Sequence, residues 1–422
     1  MREPNRDTSL LWRLVFDRTS VFAPLLSPQY RTLWAASVCW HAARWMDYLM
    51  FGWLALELTD SVWPVALISF YRLIPLLVFG IFGGALGDRF DRRRILIFAQ
   101  IISLFVSVAM VFLLYTDQVQ FDFVAACALL MGIATAVDWP SRRAVLPETI
   151  RGDHLVRAVL LDQLTNTTSR FASPIIAGLL IATHGVTVAF AALALIQVLG
   201  LLLLLKLVGL APATARHQSL ATSPSPGALV WEGLRYVRRS QVIFGVVLIT
   251  VVMNLLVFPF QGVLPVFARD ILHTDARGLG LLAACNGIGA TVMSLIIASR
   301  NPTRMHGWIY LVGSGALAIV LMAFAMSDTF LLSVALLFLS GLTGAGFSTM
   351  QSLIVLEAST QEMRTRSTGA LTVAIGSTPI GSLILGQFAS RIGVEWALFA
   401  TCALAAVLTA LVTLTFPLLR RH

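Results

Sequence analysis

From Arg31 to Leu418 the sequence is a succession of apolar runs, most of them about 20 residues or longer, divided by short segments that hold nearly all of the charge. Runs of that length cross a bilayer as helices, because in hydrocarbon each backbone N–H and C=O must be paired inside its own segment. Twelve such runs are read: 31–57, 63–87, 94–115, 122–137, 156–183 and 186–208, then 242–268, 278–299, 307–326, 330–355, 367–391 and 394–418. Between the two sets lies a polar stretch, 211–241, centred on Ser223-Pro224-Ser225-Pro226-Gly227. Its second part, 228–239, has the pattern of an amphipathic helix on the membrane surface, anchored by Trp231 and Tyr236. Composition agrees: 58% of residues are hydrophobic and 12% charged, against about 25% charged in a soluble globular domain. The expected fold is an all-α membrane protein, with residues 1–30 as a lead-in, 31–210 and 242–418 as two six-helix bundles, and 419–422 as a tail.

The arginines alternate from loop to loop. One side of the membrane collects Arg89, Arg92, Arg93 and Arg94, then Arg142, Arg143 and Arg151, the central stretch, Arg300, Arg304, Arg364, Arg366, Arg420 and Arg421. The opposite loops carry Asp60, Asp117 and Asp328, with only Arg269, Arg277 and Arg391 among the basic residues. Cytoplasmic loops hold the excess of basic residues, so both termini and the central stretch are expected in the cytoplasm of a cell whose plasma (bacterial inner) membrane the chain spans. The same spread disfavours nucleic acid as the reason for a net charge of +9; contact with anionic lipid accounts for it better. Residues 9–26 read as a retained lead-in, since Arg13, Asp17 and Arg18 interrupt any signal-like apolar core. Lys206 is the sole lysine, and Cys39, Cys127, Cys285 and Cys402 stand singly, so no Schiff base, metal centre, cofactor or disulfide framework is expected.

The two halves repeat each other. Gly178 to Val186 parallels Gly386 to Val394 at an offset of 208, and Leu130 to Ala136 parallels Leu339 to Ala345 at 209. An offset of about half the chain makes the bundles parallel repeats, the plan of a two-bundle transporter.

The stretch Gly83-Gly84-Ala85-Leu86-Gly87-Asp88-Arg89-Phe90-Asp91-Arg92-Arg93-Arg94 closes a stripe of small residues and opens a basic loop. Gly80, Gly83, Gly84 and Gly87 form two overlapping Gly-x-x-x-Gly pairs, which let another helix approach closely. Gly84-x-Leu86-x-Asp88-Arg89-x-x-Arg92-Arg93 resembles the signature loop between helices two and three of the major facilitator superfamily, with Asp91 where that family usually has glycine. Ser173-Pro174-Ile175-Ile176-Ala177-Gly178 is similar to a weakened form of the family's helix-five packing motif, here Pro174 and Gly178. Residues 142–148 and 264–270 resemble the branch that contains macrolide and siderophore exporters, the enterobactin exporter included. The resemblance implies a cytoplasmic gate built from Gly84, Asp88, Arg89, Arg92, Arg93 and Asp138. Asp88 would then face the N-terminus of the helix beginning near Ser367, and Arg92 would reach Asp138. The helix-four arginine of many proton-coupled members would fall at Ala128, so proton antiport through that residue is not available.

Ionisable residues at membrane depth are costly and mark function by default. All the deep ones lie in the first half: His41, Arg44 and Asp47, Arg72, and Asp162 and Arg170. At about 1.5 Å per residue, a hairpin turning near Asp60 sets Asp47 level with Arg72. An ion pair is expected there, serving either proton coupling or insertion alone. Arg170, Asn166, Gln163 and Asp162 fall on one face of helix five, placed to line a cavity or to bond helix one. Arg44, Gln163, Asn166 and Arg170, with the neutral Asn254, Gln261 and Asn286 of the second half, are the substrate-cavity candidates. His41 is expected to face away from Asp47.

A membrane enzyme would need an acid, histidine or metal cluster at an interface, and the arginine-rich loops carry none. A phosphate loop for ATP hydrolysis is also missing. The expectation is a non-enzymatic, monomeric secondary transporter working by rocking-bundle alternating access. It would export an amphipathic small molecule, drug-like or siderophore, as the resemblance implies, with proton coupling open. A lipid flippase or scramblase on the same fold is the alternative.

Overall fold

The computed structural model describes residues 22–87, 91–150, 153–207, 235–300, 305–361 and 363–421. These are helical nearly throughout, with no strand among the described residues. In chain order the first half gives α1 (Pro28–Thr59), α2 (Val62–Gly87), α3 (Arg92–Tyr115) and α4 (Phe121–Thr149). The stretch Asp153–Lys206 is two helices, α5 (153–184) and α6 (186–206), broken at Gly185. The second half gives α7 (Gln241–Ile271), α8 (Ala276–Arg300), α9 (His306–Ala325), α10 (Phe330–Ala358), α11 (Arg364–Ile392) and α12 (Val394–Thr415).

Nine of these stretches, with α5 and α6 taken as one, are long and apolar enough to cross a membrane. Of the two stretches outside that set among the described residues, α2 counts with a shorter apolar run, Val62–Val78, and α1 is the other. It carries His41, Arg44 and Asp47, and it is also wrapped on most sides, chiefly by α5 and α6. A helix shielded from lipid can carry charge at depth where a lipid-facing one cannot. It begins at Ser27, whose hydroxyl accepts from the Tyr30 N–H at 3.5 Å, with Pro28 preset at the first position. It ends at Asp60 in the left-handed conformation, φ 47°.

Two helices are interrupted. α7 runs from Gln241 to Leu256, breaks at Val257, Phe258 and Pro259, and resumes over Phe260–Val266 before a π-helical end, Phe267–Ile271. Pro259 has no N–H to continue the ladder, and the Phe258 N–H turns back to the Met253 carbonyl at 2.9 Å. α11 breaks between Ile375 and Thr378.

The repeat extends to the backbone. Gly185 joins α5 to α6 and Gly393 joins α11 to α12 with the same dihedrals, φ 86° and ψ 166° against φ 86° and ψ 153°. That region is open essentially to glycine alone. A Cβ at either position would meet no atom within 4 Å, so the constraint is conformational and not steric. The second repeated block acts through contact. A Cβ on Gly132 would strike the carbonyl of Arg72, and one on Gly341 would strike the carbonyl of Asn286, so α4 lies on α2 as α10 lies on α8. Between the halves, the most extensive contacts are α5 with α8 and α2 with the second part of α11. These too are repeat-related: Gly178 abuts Ala276, and its counterpart Gly386 abuts Ala66 and Trp63.

One boundary differs markedly from the sequence reading. α4 continues to Thr149, 12 residues beyond the expected end at Val137, because Asp138 and Arg142 neutralise each other within it. Of the surface helix expected at 228–239, residues 235–239 are helical, and the rest lies outside the described residues.

Candidate functional site

A cavity lies between the halves, walled by α1, α2 and α5 on one side and by α7 and α8 on the other. Each helix delivers residues by its own period. On α1, Trp45, Tyr48, Leu49 and Gly52 follow at steps of three and four; on α5, Arg170 and Pro174 stand four apart; on α8, Leu279, Ala283 and Asn286 share a face. On α7 the break re-aims the chain, so that the consecutive Phe260, Gln261 and Gly262 all reach the wall. Unwound or Gly/Pro-interrupted helices commonly form transporter binding sites for this reason.

The first-half wall is charged and aromatic. Arg72 pairs with Asp47 through Nη2, which also donates to the Arg44 carbonyl at 3.2 Å. Both members are buried, at 6% and 2% exposure, so each depends on the other for solvation. The Arg170 guanidinium donates to Asn286 Oδ1 across the cavity at 2.9 Å and lies 5.4 Å from the Trp45 ring. The second-half wall offers Phe260, Leu264, Pro265, Leu279, Ala283, Gln261 and Asn286 and no ionisable side chain.

A second, smaller pocket of about 280 Å³ is lined by Trp40, His41, Trp139, Arg142, Arg143, Asp162, Gln163 and Asn166. Here His41 Nε2 meets Asp162 Oδ1 at 3.4 Å. Arg142 grips Asp138 with both ends of its fork, at 2.7 and 3.0 Å, a geometry that fixes both side chains.

The sequence candidates thus divide. Asp47 and Arg72 meet as expected, and Arg170, Gln261 and Asn286 line the main cavity. Gln163 and Asn166 line the smaller pocket instead, and Asn166 accepts from Trp45 Nε1 at 3.3 Å. Arg44 lines neither pocket; its guanidinium is held by aromatic rings, 3.9 Å from Trp139, 5.4 Å from Trp40 and 5.5 Å from Trp45. Asn254 is also off the cavity: it accepts from Thr378 Oγ1 at 2.8 Å and ties α7 to the break in α11.

The gate expected around Asp138 is corrected in one respect. Arg92 pairs with Glu148 and donates to the Ala144 carbonyl at 2.9 Å, while Asp138 belongs to Arg142. The reason is length: the extended α4 carries Asp138 ten residues, about 15 Å, away from the level of Arg92. Arg93 donates to the Leu205 carbonyl at 2.7 Å, capping α6. Gly84 lies in α2, and Asp88 and Arg89 lie outside the described residues. Pro174 and Gly178 do lie at a close packing surface, against Gly280 and Ala276 of α8.

Sequence reading missed Trp45, Tyr48 and Ser69 and, around the candidate Gln261, also Phe260, Gly262, Leu264 and Pro265. The Pro259, Gly262 and Pro265 interruptions in an apolar run were the available signal for the last of these.

At the end of the helices that carries the α1–α2 turn, the halves are fastened together. Arg269 of α7 donates to Asp60 Oδ1 at 2.7 Å and to the Leu56 carbonyl at 3.1 Å, and Gly262 packs on Ser69.

This is the fold of a major facilitator transporter. The solved nucleoside transporter NupG superposes with a TM-score of 0.72 over 93% of this chain and 99% of that one, at 12% identity. A bacterial homologue of the human lysosomal transporter Spinster, inward-facing and unoccupied, does so with 0.70 over 93% and 98%, at 13% identity. The chain belongs to the transmembrane secretion effector family of that superfamily, whose model matches residues 19–421. Curated relatives include the multidrug efflux pump Tap of Mycobacterium tuberculosis, 26% identical over 96% of both chains. The macrolide efflux protein A of Streptococcus pyogenes is 23% identical over 80% of this chain and 84% of its own. The staphyloferrin A transporter of Staphylococcus aureus is 23% identical over 60% of this chain and 63% of its own length. The protein is a multi-pass membrane transporter.

Proposed function

We propose that the protein exports an amphipathic small molecule from the bacterial cytoplasm by alternating access. In this reading twelve spanning helices form two six-helix bundles, 31–210 and 242–418, joined by the cytoplasmic stretch 211–241, with both termini cytoplasmic. The observation that carries it is the cavity itself: both halves line it, and the Asp60–Arg269 pair fastens them at one end only among the ion pairs described. The arginine alternation assigns that fastened end to the outside. The described form is then the one closed to the outside. The relatives named for drug, macrolide and staphyloferrin A transport support the direction and the class of cargo. Asp47 and Arg72 are the proposed coupling pair: a proton on Asp47 would release Arg72, and return of the guanidinium to Asp47 would discharge it.

The test uses a background with Cys39, Cys127, Cys285 and Cys402 replaced and cysteines at Asp60 and Arg269. Export is followed in cells stripped of their own efflux pumps, by comparing cell-associated and released compounds with and without the protein. A short bifunctional thiol reagent should stop export of any compound the protein moves, and a cleavable reagent should restore it on reduction. Undiminished export with the two sites joined would refute alternating access through this cavity.

A further inference from the structure

Of the charged groups on the cavity wall, Arg72 and Arg170 are both cationic, and none of the lining residues is a carboxylate. We propose that the cavity binds its ligand by an acidic group, so that the cargo is an amphipathic organic anion; this rests on the reading of the cavity as the transport site.

Positive charge at this depth is unmatched. Arg44, Arg72 and Arg170 lie in one layer around Trp45, Tyr48 and Asp47. Among the described residues Asp47 is the one carboxylate that engages any of the three, and it is held by Arg72. Asp138 is held by Arg142, and Asp162 meets His41 in the smaller pocket, apart from these three. Within this layer three guanidinium groups stand against one carboxylate, a local surplus of two positive charges at a depth where an unmatched charge is costly.

The donors also remain in excess. Arg72 Nη1 is buried and has no hydrogen-bond partner among the described residues, on a side chain that is 6% exposed. Arg44 Nη1 is likewise buried without one. Arg170 is met by a neutral amide oxygen, that of Asn286. A carboxylate, sulfonate or phosphate between Arg72 and Arg170 would accept from both forks and offset the surplus. The apolar body of such a molecule would rest on Leu49, Ile68, Phe260, Leu264 and Leu279. A cation of the same shape would meet two guanidinium groups with no carboxylate facing it.

The acid could come from a dissolved compound or from the headgroup of an anionic lipid. Both present the same chemistry, and the experiment separates them. The full chain in nanodiscs of zwitterionic lipid is titrated with dansylglycine, an anion, and with dansylcadaverine, a cation bearing the same fluorophore. Energy transfer from tryptophan reports binding. The anion is expected to bind at least about tenfold more tightly, and Arg170→Gln to weaken the anion about tenfold or more while leaving the cation unchanged or tighter, an electrostatic loss typical of one charge-assisted contact. Arg170→Lys, which keeps the charge, should retain part of the preference. Nanodiscs with phosphatidylglycerol then assign the source: displacement of dansylglycine marks a lipid headgroup, and unaltered binding marks a dissolved acid. Equal or tighter binding of dansylcadaverine to the unaltered protein overturns the proposal, and so does a folded Arg170→Gln that keeps its anion affinity. The two-probe comparison in unaltered protein stands even where a variant fails to fold. Export that stops on joining Asp60 to Arg269 would persist as a finding if the charge preference proved wrong, so the two readings fail separately.

Discussion

Gly132 in the first half packs against the carbonyl of Arg72; at the repeat-related place in the second half, Gly341 packs against the carbonyl of Asn286. Both side chains then turn to the same cavity, one as a cation holding Asp47, the other as an amide accepting from Arg170. The scaffold is duplicated and the chemistry is not. A glycine contact or a φ of 86° is demanded by backbone geometry, which both copies share. A charge at depth is tolerated only where neighbours neutralise it, and α1, wrapped by α5 and α6, supplies such neighbours in the first half. The second-half wall, with no ion pair to maintain, is free to vary in shape at small cost.

The largest effect should come from unbalancing the first half. Arg72→Gln leaves Asp47 buried without its counter-charge and is expected to cost about 3–5 kcal/mol, seen as lost folded protein on detergent thermal melts. Asp47→Asn with Arg72→Gln should recover most of that stability. In the same assay Asn286→Ala, at the equivalent place, should cost about 1–2 kcal/mol, through the hydrogen bonds from Arg170 and to Ser340 Oγ. Equal losses at the two positions would break the comparison. The double variant also tests coupling. With Asp47 as the proton carrier, pH-driven flux in sealed vesicles is lost in both Asp47→Asn and the double variant, while exchange without a gradient survives. Flux restored in the double variant would leave Asp47 a purely structural role.

A middle-sized effect sharpens the other side of the comparison. Gly185→Ala and Gly393→Ala should each destabilise by roughly 1–3 kcal/mol and by similar amounts, since both force a side chain into a glycine-only region with open space around it. A loss at one junction and none at the other would mean that the repeat does not govern the backbone. The smallest effect is expected at Asn254→Ala: about 1 kcal/mol for the lost bond to Thr378, with ligand binding unchanged because the residue is off the cavity.

Much of this was legible in the sequence, for reasons that differ residue by residue. The Asp47–Arg72 pair followed from counting helical rise around a hairpin, because depth is a one-dimensional quantity. The Gly185 and Gly393 junctions showed as a sequence repeat because only glycine serves there. Arg44 was placed wrongly because its cage of Trp40, Trp45 and Trp139 depends on the lateral packing of α4 against α1, which depth does not encode. Asn254 was misplaced because polarity within an apolar run does not encode which neighbour the residue faces, and here it faces Thr378 at the break in α11. Arg92 was assigned to Asp138 because charged residues were taken to end α4, although a bidentate pair lets a helix run on past them.

Alternating access requires the two halves to move as units about the cavity, and paired spin labels measure that motion. One pair is set at Asp60 and Arg269, the other at Glu148 and Ala358, the far ends of α4 and α10. Distances are measured by pulsed electron resonance in nanodiscs at pH 5.5 and 8, with and without dansylglycine. The account predicts opposed changes: any gain in long distances at the first pair is matched by a gain in short distances at the second. Both pairs lengthening together, or each holding one distance under every condition, would contradict it.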